Sequence, residues 1–332
     1  MNFLIVRIFT NYDITNTTEL LGSSEDELLS QGIQVYFNHS GRADLVLVLN
    51  TVTTPRWVLV PDGNLIKILQ EPVIHRPLTH LFTYRHSRIY NRVLTHSPNL
   101  EEPRQINSIP YLGTHVDPKI DINNTINQKS LLLSIIASTF VKLPGHRIRT
   151  RFIDNLIGFF PDLAAHTFGK GRKQELLKKI DGLHDYRFSI AIENSRLPSY
   201  ITEKFYDCIL AGCVPLYYGA PNASDYFPVD SFIPLPIDDI KECCRIISEL
   251  SEADYERRIP AIVEAQSLIR EKYSLSSVIL NHVSQMQKTN SSKIRPIFLL
   301  RLDGIFGFVQ NLGYSALPKQ FLWFIRNKIL TK

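Results

Sequence analysis

The sequence predicts an α/β protein of two compact units, and three observations carry that expectation. The chain has 332 residues, about two domains' worth of length. Short apolar runs alternate with helix-like stretches near its start, and a strand, a helix and a second strand follow one another between Phe188 and Gly219. The composition, 44% hydrophobic and 21% charged, is that of an ordinary globular protein. Its 19 prolines and 15 glycines follow no repeat period, which excludes solenoid and collagen-like architectures.

The first unit, expected over residues 1–127, reads as strands over Phe3–Phe9, Leu45–Asn50, Trp57–Leu59, Leu65–Leu69 and Arg92–Thr95, with a helix over Ser24–Gln31. The opening run is interrupted by Arg7 and followed by polar residues rather than a small-residue cleavage site, so it reads as a strand and not as a leader. After Glu71 the prolines, histidines and arginines read as loop, and the polar stretch Asp117–Gln128 reads as a linker. The second unit, expected over 128–285, opens with a buried strand at Leu131–Thr139. A helix over Arg147–Gly158 follows, with Ile148, Phe152 and Leu156 recurring on one face and Arg149 and Arg151 on others. A short helix over Gln174–Ile180 precedes the strand Phe188–Ile192, the helix Thr202–Ala211 closed by Gly212, and the strand Val214–Tyr218. Such a unit crosses over right-handedly and implies a parallel sheet.

Charge is unevenly distributed. The net +5 resolves into +6 over residues 293–332, where seven Lys/Arg face Asp303 alone, and −1 over the rest. The body therefore lacks the basic face that nucleic-acid binding needs. The tail, 286–332, mixes aromatics with arginines and lysines but has no apolar run long enough to span a bilayer. It has two readings: an amphipathic helix on an anionic membrane surface, or a terminal helix packed on the body. The four cysteines form no CxxC pair and sit in apolar surroundings, as free core residues in a reducing cytoplasm do. The expected location is the cytoplasm, with peripheral contact at the inner face of the membrane if the tail takes the first reading.

In a strand–helix–strand unit, ligands bind beyond the carboxyl ends of the strands, where the next helix presents unpaired N–H groups and its positive dipole end. Glu193, Asn194 and Ser195, the loop through Tyr200, and the helix start Thr202-Glu203-Lys204 occupy that position. Thr202 is a capping residue, Lys204 offers a full positive charge to an anion, and Glu193 or Glu203 accepts hydrogen bonds from sugar hydroxyls. A lysine in a helix's first turn is otherwise unfavourable, so an anionic ligand is the compensation that the spacing suggests. No Asp-x-Asp, GxGxxG, GxxxxGK[ST] or GxSxG occurs, and Gly169-Lys170-Gly171-Arg172 lacks the spacing of a phosphate loop.

The segment FSIAIENSRLPSYITEKFYDCILAGCVPLYYGAP, Phe188 to Pro221, continuing to Ser231-Phe232-Ile233, resembles the α-1,3-fucosyltransferases of glycosyltransferase family 10. ENS, YITEK, AGxVP and SFI stand in the family's order and spacing. The resemblance extends over roughly 131 to 235. It implies a GT-B fold, two Rossmann-like domains facing a cleft with the donor nucleotide on the C-terminal one. The implied activity is inverting transfer of L-fucose from GDP-fucose to a glycan hydroxyl. The implied acceptor is O3 of N-acetylglucosamine in a cell-surface glycan such as lipopolysaccharide or capsule, in a lipid-linked form if the tail meets a membrane. By the same resemblance Lys204 and Arg149 neutralise the diphosphate, the latter because Ile148-Arg149-x-x-Phe152-x-Asp154 matches the family's arginine stretch. Ser138 falls where the family has Ser-Asn, although Thr139 replaces the Asn. No cofactor is expected and metal is dispensable, Mn²⁺ being stimulatory at most. An inverting transfer needs a base, and Glu71, at a strand's carboxyl end in Gln70-Glu71-Pro72, is the candidate. Glu101-Glu102 reads as a solvated pair, and His75, His80 and His86 as structural or surface residues, with acceptor binding as their alternative role. Two alternatives stay open: a GT-B transferase for another nucleotide sugar, and an inactive nucleotide-sugar-binding protein.

Overall fold

The computed structural model describes residues 3–12, 14–73, 75–85, 87–96, 105–107, 113–141, 144–286 and 294–299. Along the chain these form β1 (Leu4–Thr10), α1 (Thr17–Leu21), α2 (Glu25–Ser30), β2 (Ile33–Phe37), β3 (Gly41–Arg42), β4 (Leu45–Leu49), β5 (Arg56–Pro61), β6 (Leu65–Leu69), α3 (Pro77–Arg85), β7 (Arg92–Thr95) and β8 (Gln105–Asn107). There follow α4 (Ile122–Ile126), β9 (Leu131–Ile136), α5 (Pro144–Phe159), β10 (Thr167–Phe168), β11 (Tyr186–Ile192), α6 (Glu203–Leu210), β12 (Val214–Tyr218), β13 (Ile233–Pro234), α7 (Ile240–Ser248), α8 (Glu252–Glu271), α9 (Leu275–Met286) and β14 (Ile294–Leu299).

The chain divides into two units, residues 1–17, 24–111 and 278–332 in the first and 18–23 and 112–277 in the second. The first contains a parallel six-stranded sheet, ordered β2-β1-β4-β6-β7-β8. Its central strands β4 and β6 are buried along their whole length, as strands covered on both faces are. The second is built on a parallel five-stranded sheet, ordered β10-β9-β11-β12-β13, so both units have the parallel sheet that the alternating pattern predicts.

Several expectations are corrected. Asp117–Gln128 is not a linker: it belongs to the second unit, where Val116, Ile122 and Thr125 are buried and the Arg270 guanidinium donates to the carbonyls of Pro118 and Ile120. Apolar side chains spaced through a polar stretch, together with captured carbonyls, hold it down. Gln174–Ile180 is not a helix. Gln174 bridges Phe168, and only a 3₁₀ turn forms, at Lys179–Gly182. The stretch after Glu71 contains α3, which begins on Pro77, a residue preset for a helix's first position. The expected strand Trp57–Leu59 is longer, and it lies in a separate three-stranded sheet, ordered β14-β5-β3.

That sheet also bears on the tail. Ile294–Leu299 is neither membrane helix nor core helix but a strand antiparallel to β5, with Leu299 buried and Ile297 packed against a core that includes Phe9, Val46, Val58 and Val60. Alternation puts one side of the strand on the core, which a helix of these residues would not do. Residues 300–332, with the remaining basic charge, lie outside the described residues, as do His86 and Glu101-Glu102. No described helix is long and apolar enough to cross a membrane. Cys208, Cys213 and Cys243 are buried free thiols, as expected of small core residues.

Candidate functional site

The site grows from β11. Its seven residues are buried almost throughout, and the chain then turns through Glu193-Asn194-Ser195 toward α6. Ser199 in that turn has φ +61°. It is held by its amide donating to Asn222 Oδ1 at 2.7 Å and by a 2.6 Å hydroxyl contact with Tyr226, so tertiary bonds stabilise the left-handed conformation. Helix α6 starts at Thr202, whose hydroxyl accepts from the Lys204 amide as an N-cap.

Glu193 closes this turn from beneath. Its carboxylate is buried and accepts from the Thr202 amide (2.8 Å) and hydroxyl (2.7 Å). Lys204 Nζ lies 2.8 Å from Glu203 Oε1, 3.2 Å from Thr202 Oγ1 and 3.5 Å from Glu193 Oε2. Burial opposes charge on all three groups, and the balance differs at each. Burial wins at Glu193, whose carboxyl is pushed up despite Lys204. At Glu203 the ammonium groups of Lys204 and Lys179 outweigh burial and hold the carboxyl well down. The two carboxylates in turn raise the Lys204 ammonium. Lys204 is therefore a fixed cation at the start of α6, where the helix's unpaired N–H groups add positive potential.

Arg149 reaches the same place from α5. Here the sequence-derived face is corrected. Ile148 is 51% exposed, while Arg149 (7%) joins Phe152, Ile153 and Leu156 on the buried face. The arginine stem covers apolar surface, and its head is held by Asn194 Oδ1 (2.8 Å from Nη1) and Ser138 Oγ (3.4 Å from Nη2). Its buried Nε has no hydrogen-bond partner among the described residues. Burial lowers the guanidinium pKa, opposed by Glu193 and Glu203. Two glycines make room for this geometry. A Cβ on Gly145, at the start of α5, would overlap the Asn194 carbonyl, so only glycine lets the helix approach the turn. A Cβ on Gly219 would meet Glu193 Cγ at 2.6 Å.

The structure thus brings together Ser138, Arg149, Glu193, Asn194, Glu203 and Lys204 around the carboxyl ends of β9 and β11. Tyr200 stands in the same turn, but it is buried, its carbonyl accepting from the Tyr217 hydroxyl at 3.3 Å. Sequence reading passed over a second charged set. Asp207, one turn after Glu203 and fully buried, accepts from Lys179 Nζ (2.6 Å) and from the amides of His115 (2.8 Å) and Val116 (3.2 Å). His115 Nδ1 is 3.5 Å from Asp207 Oδ2. An aspartate amid Phe205, Tyr206, Cys208 and Ile209 is the signal that was there to be read, because buried carboxylates are seldom unpaired.

Glu71 belongs to the other unit, directly after β6. Its carboxylate accepts from the Tyr12 hydroxyl (3.2 Å) and lies 3.2 Å from His75 Nδ1. Its amide and that of Gln70 donate to Asn50 Oδ1 at 3.1 and 2.8 Å. Burial opposes ionisation, but the hydrogen bond and charge of His75, then Arg76 and Tyr12, hold the carboxyl below its ordinary value. His80 Nε2–H donates to the Glu71 carbonyl (2.8 Å).

The His80 and His96 rings lie edge to face, with centroids 6.5 Å apart. Both are buried, and burial pushes their imidazoles down to about 4 and about 3. Depressed histidine values mean that the unfolded chain takes up protons first as pH falls below 6.5. Folding stability should therefore drop between about pH 6.5 and 4, by about 1.4 kcal/mol per pH unit for each histidine. Urea midpoints at pH 7 and pH 5 check this, and equal midpoints would contradict it.

Comparison with known proteins bears on the same segment. Residues 127–259 match the model of the glycosyltransferase family 10 (fucosyltransferase) C-terminal domain. Human alpha-(1,3)-fucosyltransferase 7 is 27% identical over 157 residues, 45% of this chain and 43% of that protein. An alpha-(1,4)-fucosyltransferase of Arabidopsis thaliana is 34% identical over 102 residues (30% and 25%), and alpha-(1,3)-fucosyltransferase B of Drosophila melanogaster 48% identical over 46 (14% and 10%). The chain thus spans less than half the length of these curated relatives. Among solved structures, an alpha1,3-fucosyltransferase aligns over 86% of this chain and 90% of its own, with TM-score 0.53 and 15% identity. An alpha-glucosyltransferase in complex with UDP and DNA aligns over 87% and 100%, with TM-score 0.54 and 10% identity. At these identities the likeness is one of fold, GT-B with two Rossmann-like units. Arg149, Glu193, Asn194, Glu203 and Lys204 all fall inside residues 127–259, the segment similar to the glycosyltransferase family 10 (fucosyltransferase) C-terminal domain.

Proposed function

We propose that the chain is an inverting α-1,3-fucosyltransferase that moves L-fucose from GDP-fucose to O3 of N-acetylglucosamine in a cell-surface glycan. The observation that carries the reading is the convergence of Arg149 and Lys204 on the turn between β11 and α6, within a segment of family 10. Two fixed cations and a helix N-terminus meet the charge that develops on a departing diphosphate, a preorganised arrangement of the kind that contributes most to catalysis. Glu203 and Asn194 offer acceptors to sugar hydroxyls. Relatives named as alpha-(1,3)- and alpha-(1,4)-fucosyltransferases support the sugar, and a structure of an alpha1,3-fucosyltransferase with GDP supports the nucleotide.

Glu71 is the proposed base, accepting the proton of the acceptor hydroxyl as its oxygen attacks the sugar carbon. The basic residues of the segment 300–332 suit contact with the anionic inner face of a membrane and thus a lipid-linked acceptor, lipopolysaccharide or capsule precursor, in the cytoplasm. The cations of the site make a metal dispensable for leaving-group stabilisation.

Incubation with a panel of GDP- and UDP-sugars and N-acetyllactosamine tests the reading. GDP-fucose alone should give product, and EDTA should leave turnover largely intact. Transfer from a UDP-sugar would assign a different donor, and loss in EDTA restored by Mn²⁺ would overturn the metal-free reading. Binding of GDP-fucose without transfer to any acceptor would leave a nucleotide-sugar-binding protein.

A further inference from the structure

Three residues of the first unit meet at the carboxyl ends of neighbouring strands: Tyr12 just beyond β1, Asn50 directly after β4, and Glu71 just beyond β6. These strands lie side by side and parallel, so the three residues follow one another along the end of the sheet at which ligands of such folds bind. Tyr12 is tied down by its amide, which donates to Thr10 Oγ1 at 3.1 Å. Asn50 is buried and left-handed, with φ +50°, a conformation that asparagine tolerates better than most residues. Its side chain is held on both sides by hydrogen bonds.

Those bonds fix the direction of each proton. Asn50 Oδ1 accepts from the Gln70 and Glu71 amides at 2.8 and 3.1 Å, and a backbone N–H can only donate. The Asn50 amide therefore cannot be reversed, and its Nδ2 faces the Tyr12 hydroxyl at 2.8 Å and Gln70 Oε1 at 3.4 Å. A phenol that accepts from Asn50 has one proton to give, and Glu71 Oε1 takes it at 3.2 Å. Burial raises the Tyr12 phenol further above its ordinary value, so Tyr12 stays a donor at any pH near neutral. The other Glu71 oxygen meets His75 Nδ1 at 3.2 Å. Arg76, His80 and His96 are the remaining charged or titratable groups that act on this carboxyl, His80 bonding the Glu71 carbonyl.

We propose that Tyr12 is a positioning residue for Glu71, its hydroxyl proton aimed by Asn50 at Oε1 so that the carboxylate stays ionised and held in one orientation. The inference rests on the reading of Glu71 as the base and adds the residue that tunes it. Tyr12 keeps its own proton and acts through Glu71. A carboxylate has about four lone-pair sites, so two donors leave room for the proton of an acceptor hydroxyl. A hydrogen bond donated to the charged form favours that form. Loss of the Tyr12 hydroxyl therefore raises the Glu71 pKa, and the acid limb of kcat/KM, along which activity falls as Glu71 is protonated, moves to higher pH.

Titration of the full chain by NMR, with its glutamate carboxyls isotope-labelled, follows Glu71 directly, its resonance being the one that Glu71→Gln lacks. In Tyr12→Phe that resonance should titrate about one to two pH units higher, the shift equivalent to one hydrogen bond to a charged group. The acid limb of kcat/KM for fucosyl transfer should rise with it, while GDP affinity stays unchanged. Replacing Tyr12 by a ring-fluorinated tyrosine keeps the shape of the site and supplies a stronger donor, so both titrations should move to lower pH. This second variant decides the matter if Tyr12→Phe does not fold. An unmoved Glu71 resonance in either folded variant would overturn the proposal. A rate lowered equally at every pH, in step with a lowered melting temperature, would overturn it too, since Tyr12 would then only brace the strand ends. A resonance that moves while the acid limb stays in place would instead sink the reading of Glu71 as the base and leave the effect of Tyr12 on its carboxyl standing.

Discussion

Glu71→Gln should bind GDP-fucose normally and transfer fucose roughly 10²–10⁴-fold more slowly, the usual contribution of a positioned base. Glutamine keeps the size of the side chain, and its amide oxygen can still accept from the Tyr12 hydroxyl that bonds Glu71 Oε1. The backbone around it is set independently, by the Gln70 and Glu71 amides on Asn50 Oδ1, so the substitution changes basicity with little change in shape. Burial acts to push the carboxyl up. His75, Arg76 and Tyr12 reverse this, so that the carboxylate is ionised at neutral pH and open to a proton. Acidification should therefore remove activity as the pH falls through the depressed value of Glu71. Transfer that survives within a few-fold places the base elsewhere, Glu193 being the next candidate with its raised pKa. Loss of donor binding as well would make Glu71 a structural residue of β6.

Lys204→Ala and Arg149→Ala should each weaken GDP binding about 10- to 150-fold, because each removes a charge-assisted contact worth roughly 1.5–3 kcal/mol. The routes differ. Lys204 stands among two carboxylates, and its loss leaves them facing the diphosphate, adding repulsion to the lost attraction. Arg149 is held by Asn194 and Ser138, so its loss also frees Asn194, and selectivity for the sugar should loosen with affinity. Isothermal titration with GDP checks both. Unchanged affinity in the two variants would mean that the diphosphate sits elsewhere.

The parts of this site visible in the sequence share one property: their chemistry is local. The strand β11, the cap at Thr202 and the lysine two residues on are neighbours along the chain, so hydrophobic runs and capping rules found them. Arg149 was separable from Arg147 and Arg151 only through the family's motif, because periodicity favoured Ile148 for the buried face. The structure reverses that choice, since Asn194, 45 residues on, supplies a partner that makes an arginine tolerable there. Lys179 and Asp207 were missed for the same reason, being 28 residues apart. Asp117–Gln128 looked like a linker because its polar residues outnumber the few apolar ones that anchor it. The tail misled differently: the alternation in Ile294–Leu299 was there, but the mix of aromatics and basic residues invites a helical reading.

The edge strand β14 has a consequence for the order of events during synthesis. The first unit is discontinuous, its opening segments completed by residues from 278 onward, while the second unit is nearly all made from 112 to 277. A chain emerging from the ribosome therefore exposes β5 with its outer neighbour still unmade. The second unit has all its described strands before the first has β14, although domains usually fold in the order they are synthesised. Until Leu299 emerges, one edge of β5 is an open template for pairing with another chain. Truncation upstream of Ile294 would make that temporary vulnerability permanent, so a chain shortened to remove the basic tail is best ended beyond Leu299.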